Sequence, residues 1–187
     1  MEYNLPSEIV KDLNFGEDAK HKIIKGVEKL AKAVKSTLGA SGKCVIYEDA
    51  RGKPVITKDG VTVAQSVVLY DPVENIGATL IKEAAQITVK EAGDGTTTAT
   101  VIAEALIKQV NHDKYHETNI REIKQGINSG LKKINKYLEK TAINVKGDML
   151  SDVSTISCNN DVALGKIIAE AYEKVGKDGV VLMEGSP

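Results

Sequence analysis

Apolar residues recur at helical spacing through most of this chain, and that spacing predicts a mainly α fold. Between Asp18 and Leu38 they fall at Ile23, Ile24, Val27, Leu30, Ala31, Val34 and Leu38. This is one stripe of a 3.6-residue repeat, with Lys25, Glu28, Lys32 and Lys35 elsewhere on the wheel. Gly39 then stops the helix. A long helix is expected from Asp71 to Glu91, with Pro72 in its first turn and Ile76, Leu80, Ile81, Ala84, Ala85 and Ile87 on its apolar side. After Gly93-Asp94-Gly95 the pattern resumes from Thr97 to Val110, with Ala99, Ile102, Ala103, Leu106, Ile107 and Val110 inside. A polar loop, Asn111 to Thr118, follows. The next helix runs from about Asn119 to Lys140 and is expected to bury Ile120, Ile123, Ile127, Leu131, Ile134 and Leu138. Two shorter helices span Met149 to Ser157 and Asp161 to Val175, with Asn159 and Asn160 as natural capping residues between them.

Strand content is small. Lys43 to Tyr47 and Pro54 to Thr57 read as a hairpin around a charged turn, and Val180 to Met183 as a single apolar strand. The helical pattern breaks at Val145-Lys146-Gly147-Asp148, and composition shifts after Lys140. A domain boundary is therefore expected near residue 141.

Bulk properties exclude several classes. The 187 residues carry 25 basic and 26 acidic side chains, a net charge of -1. No single-sign field points to nucleic acid or an anionic membrane. No apolar run approaches the roughly 18 residues of a membrane-spanning helix. The N-terminus lacks a signal-peptide layout, and Glu2, Glu8 and Asp12 argue against a transit peptide. With one Phe, six Tyr and no Trp, the core must come from Ile, Val, Leu and Ala. Cys44 and Cys158 have no CxxC spacing and no His partner at ligand distance, so both read as buried small residues. A reducing, cytoplasmic setting fits them.

Three glycine-containing joints are candidates for chemistry. In Thr37-Leu38-Gly39-Ala40-Ser41-Gly42-Lys43 only two residues separate the glycines, Cys44 follows the lysine, and a helix precedes a strand. A phosphate loop of the Walker type needs a different spacing and order, so a helix cap with a tight turn is the simpler reading. In Thr57-Lys58-Asp59-Gly60-Val61-Thr62-Val63, Asp59 sits at a strand end where a carboxylate can activate water, although Asp-Gly is also an ordinary turn pair. Gly93-Asp94-Gly95-Thr96-Thr97-Thr98-Ala99-Thr100 is the most informative. First-turn N–H groups lack internal partners and carry partial positive charge. Glycines admit a phosphate close to the backbone, hydroxyls add donors, and Asp94 suits Mg²⁺, which shares its ligands between carboxylate and phosphate oxygens. A Thr cap after a glycine turn is the rival reading. Three successive threonines exceed what capping needs.

These three segments, in this order, resemble the motifs of the group I chaperonins (the GroEL or Hsp60 family). So do Phe15-Gly16-x-Asp18-Ala19, Glu74-Asn75-Ile76-Gly77-Ala78, Ile156-Ser157-x-Asn159-x-Asp161, Ile168-Ala169-Glu170-Ala171 and Val175-Gly176-Lys177-x-Gly179-Val180. The likeness covers about Asn14 to Glu184. It implies a mainly α equatorial domain, N-terminal half, with a small β-hairpin over residues 1–140. The ascending half of an α/β intermediate domain would follow over 141–187, with no apical domain. It implies an ATP-dependent chaperone subunit of a homo-oligomeric ring, an ATPase. Unfolded proteins and a co-chaperonin would be engaged through the absent apical domain, with no nucleic-acid or membrane partner. Carried over residue by residue, Thr37, Leu38, Gly39 and Ala40 contact ATP and Lys58 lies near its phosphates. Asp94 holds Mg²⁺, Gly95, Thr96, Thr97 and Thr98 cradle phosphate oxygens, and Asp59 assists hydrolysis.

The chain departs from the family at Ala40 and Ser41, where Pro and Lys are usual, so Ala40 lacks the fixed φ of proline. It also lacks counterparts for the descending intermediate segment, with its second hydrolytic aspartate, and for the segment that completes the adenine pocket. Very low turnover is expected of these 187 residues alone. The residues before Asn14 match nothing and are expected to form a frayed arm. The rival expectation is a naturally short nucleotide-binding module that modulates a full-length chaperonin without folding activity.

Overall fold

A computed structural model describes residues 13–39, 41–115, 117–176, 179–182 and 184, and of Asp113 the backbone only. The expected arm before Asn14 falls almost wholly outside them. Helix α1 spans Gly16–Lys35, strands β1 and β2 span Val45–Glu48 and Pro54–Thr57, and helices α2, α3 and α4 span Gly60–Ser66, Pro72–Ala92 and Thr96–Val110. After a 3₁₀ turn, Asp113–Tyr115, come α5 (Ile120–Thr141), α6 (Met149–Ser157) and α7 (Val162–Val175). The mainly α architecture with one small hairpin is as the periodicity indicates. Helix α2 was not expected, because Val61-Thr62-Val63 carries no helical stripe. The expected strand at Val180–Met183 does not form over Val180, Val181 and Leu182, which meet no ladder partner among the described residues; Met183 lies outside them.

Contacts divide the chain into two compact units, Met1–Thr118 and Asn119–Pro187. The expected boundary near residue 141 lies at the other end of α5.

In the first unit α1 packs along α3 and α4. Val27, Leu30, Val34, Val63, Ala64, Ala78 and Ile81 form the buried core, with Ala33, Val45, Val67, Leu69, Ala103 and Ile107 packed against it. The α1–α3 crossing is close because Gly26 lies on the Glu74 carbonyl and Gly77 on the Ile23 carbonyl, where a Cβ would overlap backbone. Glu74, buried at this crossing, is paired with Lys25 and Lys29 of α1. Asp71 caps α3, accepting from the Val73 and Glu74 N–H groups at 2.8 and 3.1 Å, and pairs with Lys22. The hairpin is antiparallel, with Ile46 opposite Ile56. Its turn is closed by Asp49, which accepts from the Arg51 and Lys53 N–H groups at 2.8 and 2.9 Å.

Burial corrects several expectations. On α3, Ile76, Leu80 and Ile87 are exposed, and the buried stripe is Val73, Glu74, Gly77, Ala78, Ile81 and Ala85. On α4, Ile102 and Leu106 are exposed, while the buried stripe is Thr96, Thr100 and Glu104. Within this stripe Glu104 is met by Lys35 of α1 and by Lys108 of its own helix. Cys44 is exposed and Cys158 half-buried, since each sits at the end of an element rather than within it.

In the second unit α6 and α7 form a helical pair. Gly165 of α7 lies on the Thr155 backbone, with no room for a Cβ. Asp161, rather than Asn159 or Asn160, caps α7, accepting from the Leu164 N–H at 3.0 Å. The two asparagines instead make the turn, at φ 57 and 66, a left-handed conformation that Asn tolerates better than most residues. Helix α5 is capped by Asn119 but buries no residue. Ile120, Ile127, Leu131, Ile134 and Leu138 are all exposed, because within this unit α6 and α7 pack on each other rather than along their face. Among the described residues no helix is long and apolar enough to cross a membrane.

Candidate nucleotide site

The site forms where α1 ends and α2 and α4 begin. Beyond α1 the chain turns sharply. Thr37 and Leu38 N–H groups donate to the Val34 and Lys35 carbonyls, both at 3.1 Å, and Lys43 N–H returns to the Ser36 carbonyl at 2.7 Å. The Thr37 hydroxyl donates to the Val34 carbonyl at 2.8 Å. This turn exposes Leu38 and Gly39. Ala40 lies outside the described residues.

At the second joint, β2 ends at Thr57 and Asp59 starts α2. Its carboxylate accepts from the Val61 and Thr62 N–H groups at 3.2 and 2.9 Å, and from the Thr62 hydroxyl at 2.5 Å. Partial burial acts to raise the Asp59 pKa, but the hydrogen bonds from the Thr62 hydroxyl, the Thr62 N–H and the Val61 N–H together outweigh it. The net shift is downward, so the group is ionised at neutral pH. Lys58, the preceding residue, is exposed. On the far side of α2, Lys82 of α3 donates to the Gln65 and Val67 carbonyls, fixing the end of the helix that Asp59 begins. Burial lowers the Lys82 pKa.

At the third joint, α3 ends at Gly93 (φ 75) and α4 is entered through Gly95 (φ 86). These left-handed conformations are costly for other residues. Asp94, between them, is exposed and accepts from the Gly95 N–H at 2.5 Å. No side chain caps α4, so its first-turn N–H groups are left for solvent or an anion. Thr96 is buried, Thr97 half-buried and Thr98 exposed.

Gly60 brings the three joints together. A Cβ there would overlap the Thr97 hydroxyl and come within 3.4 Å of both Thr37 Oγ1 and Val34 Cγ1. Three segments separated by up to sixty residues in the chain thus meet at one glycine. Leu38 and Gly39, Lys58 and Asp59, and Asp94 through Thr98 are adjacent to that meeting point through the backbone. The expected roles had not included Gly60 and Thr62. Thr62 was legible: Asp59 is followed two and three residues on by N–H donors in the pattern of an N-cap. Gly60 was not, because its neighbours come from elsewhere in the chain.

Chemically, the joint offers uncapped helix N–H groups, threonine hydroxyls and two carboxylates. Among the described residues no three metal-ligating side chains converge.

Residues 30–185 match the TCP-1/cpn60 chaperonin family. The chain belongs to that family. Among solved structures it is similar to the chaperonin gp146 from bacteriophage EL 2 (Pseudomonas aeruginosa), crystallised in the presence of ATP-BeFx. The identity is 30% over 85% of this chain and 28% of that one, with a TM-score of 0.70. It is also similar to a group III chaperonin in the open state, at 26% identity over 87% of this chain and 34% of that one, with a TM-score of 0.71. The chain thus spans about a third or less of the length of the chaperonins it matches. Similarity of fold does not separate the chaperonin groups here.

Proposed function

We propose that this chain is the ATP-binding portion of a chaperonin subunit of group I type. In that reading residues 1–140 belong to the equatorial domain and 141–187 to the intermediate domain. The observation that carries the reading is the meeting of Thr37, Gly60 and Thr97 beside the uncapped start of α4. It supports a pocket in which Thr37, Leu38, Gly39 and Ala40 contact the nucleotide. The N–H groups and hydroxyls from Gly95 to Thr98 would receive its phosphates, and Lys58 would add a positive charge near them. Asp94 would hold Mg²⁺, which supplies charge neutralisation on the phosphate oxygens.

Asp59 would act on water rather than as a strong base. Its hydrogen bonds hold the carboxylate in place and its lowered pKa keeps it an acceptor, so its contribution is to orient a nucleophile at the γ-phosphate. Alone it orients that water poorly, and these 187 residues are expected to release phosphate barely above background. In the context of a longer chaperonin chain, with ring assembly, protein substrates and a co-chaperonin, the same residue would support coupled turnover in the cytoplasm. There, Asp59→Ala should slow steady-state phosphate release on the order of a hundredfold, as misplacement in such sites does, while Mg·ATP still binds. Unchanged release would remove Asp59 from this role.

A further inference from the structure

Helices α1 and α4 run antiparallel, and three contacts set their register. Lys108 donates to Glu28 Oε1 at 2.9 Å. Seven residues along α1 and four residues back along α4, Lys35 meets Glu104, whose other oxygen lies 3.5 Å from Lys108. Two residues beyond Lys35, and seven before Glu104, come Thr37 and Thr97 at Gly60. Glu104 is the buried member of this ladder, its side chain 5% exposed, whereas Lys35, Lys108 and Glu28 are 41%, 50% and 43% exposed. One turn away, the fully buried Thr100 hydroxyl has no hydrogen-bond partner, and Glu104 Oε2 meets Lys35 as an ion pair rather than through a hydrogen bond. The ionic rungs therefore provide the only polar tie along this stretch of α4 among the described residues.

The structure assigns Glu104 a positioning role: by holding Lys35, the last residue of α1, it sets the Thr37–Gly39 turn against the start of α4. The turn is anchored mainly to the end of α1, through the Thr37 hydroxyl on the Val34 carbonyl and the Lys43 N–H on the Ser36 carbonyl. Its N–H groups lean on the carbonyls of Ala33, Val34 and Lys35, so the turn moves wherever the end of α1 moves. A slip of the α1–α4 register by one turn would displace it by about 5 Å. Glu104 is placed to prevent this, because its carboxylate is buried and is met by Lys35 and Lys108, and a buried charge is tolerated only where it is paired. The role in nucleotide affinity rests on the proposed ATP site; the role in setting the turn does not.

The test is amide hydrogen exchange on the nucleotide-free protein, followed by Mg·ATP titration. In Glu104→Gln the Gly42 and Lys43 amides, which close the turn, should exchange about tenfold faster, the scale of losing one charge-assisted contact. The amides of α3 should hold their rates. Lys35→Gln, at a more exposed position, should reproduce the effect if Glu104→Gln folds poorly. Lys32 lines the same depression on α1 but belongs to none of the rungs, and Lys32→Gln should change nothing. Mg·ATP affinity should fall about tenfold in the first two variants. Turn amides that keep their rates in both variants, or that speed up only in step with α3, would overturn the positioning role. Faster turn exchange with no Mg·ATP binding by the parent protein would uphold the positioning role and sink the nucleotide reading instead.

Discussion

Helices α1 and α5 have equally regular apolar stripes, yet only the first closes into a core. Leu30 of α1 is 0% exposed, whereas Leu131 of α5, on as clear a stripe, is 52% exposed. The difference lies in what faces each stripe. Helix α1 meets α3 through Gly26 and Gly77, which let the backbones touch, and Glu74, Lys25 and Lys29 satisfy the charges brought inside. Helix α5 has no such counterpart among the described residues of its own unit. Periodicity thus reports that a helix has a face to bury, and other parts of the chain decide whether it is buried.

The sharpest way to break this comparison is to truncate the two leucines. Leu30→Ala should destabilise the first unit by about 2–5 kcal/mol, as core truncations do. Leu131→Ala should alter stability by no more than roughly 0.5 kcal/mol, the surface range. Thermal melts of both variants decide it, and equal losses would show that α5 is buried in solution.

The next effect concerns the joint itself. Gly60→Ala adds a methyl where Thr97 Oγ1 stands, and overpacking of this kind costs about 1–3 kcal/mol. Thr97→Ser retains the hydroxyl and should not relieve the clash, whereas Thr97→Ala should restore part of the lost stability. Denaturant unfolding of the single and double variants would measure that coupling, and strictly additive losses would contradict the contact.

The smallest effect is acid sensitivity. Hydrogen bonding from the Glu74 N–H first, and then Lys22, holds the Asp71 pKa below its usual 3.8. Lys29 and Lys25 hold that of Glu74 below 4.5. Both folded pKa values are depressed, so their stabilisation is fully present above the ordinary carboxylate range and is lost as pH falls through the folded values. The protection factors of the first α3 amides, which correct exchange for its intrinsic pH dependence, should therefore fall below about pH 4, and Glu74→Gln should flatten that response. A pH-independent α3 would contradict the ion pairs.

Local signals in the chain foretold more of the fold than of the burial. The Pro72 turn, the hairpin and six of the seven helices follow from spacing and turn chemistry. Helix α2 was hidden because three β-branched-rich residues follow a turn pair, and only the Asp59 cap marks it. The three joints were each visible as glycine-containing motifs, but their meeting at Gly60 depends on how α1, α2 and α4 cross. Glu104 was hidden for the same reason. It reads as a solvent-facing charge until Lys35 is brought to it from seventy residues away.

The central claim is that these joints bind a magnesium nucleotide, and titration calorimetry of Mg·ATP against the protein tests it most directly. The parent chain should bind weakly, with Asp94→Ala weakening binding about tenfold or more, the scale of losing a charge-assisted ligand. Asp49→Ala, a hairpin-turn change of the same chemistry, should leave affinity unchanged. Equal effects of Asp94→Ala and Asp49→Ala, or no Mg-dependent heat from the parent chain, would contradict the claim.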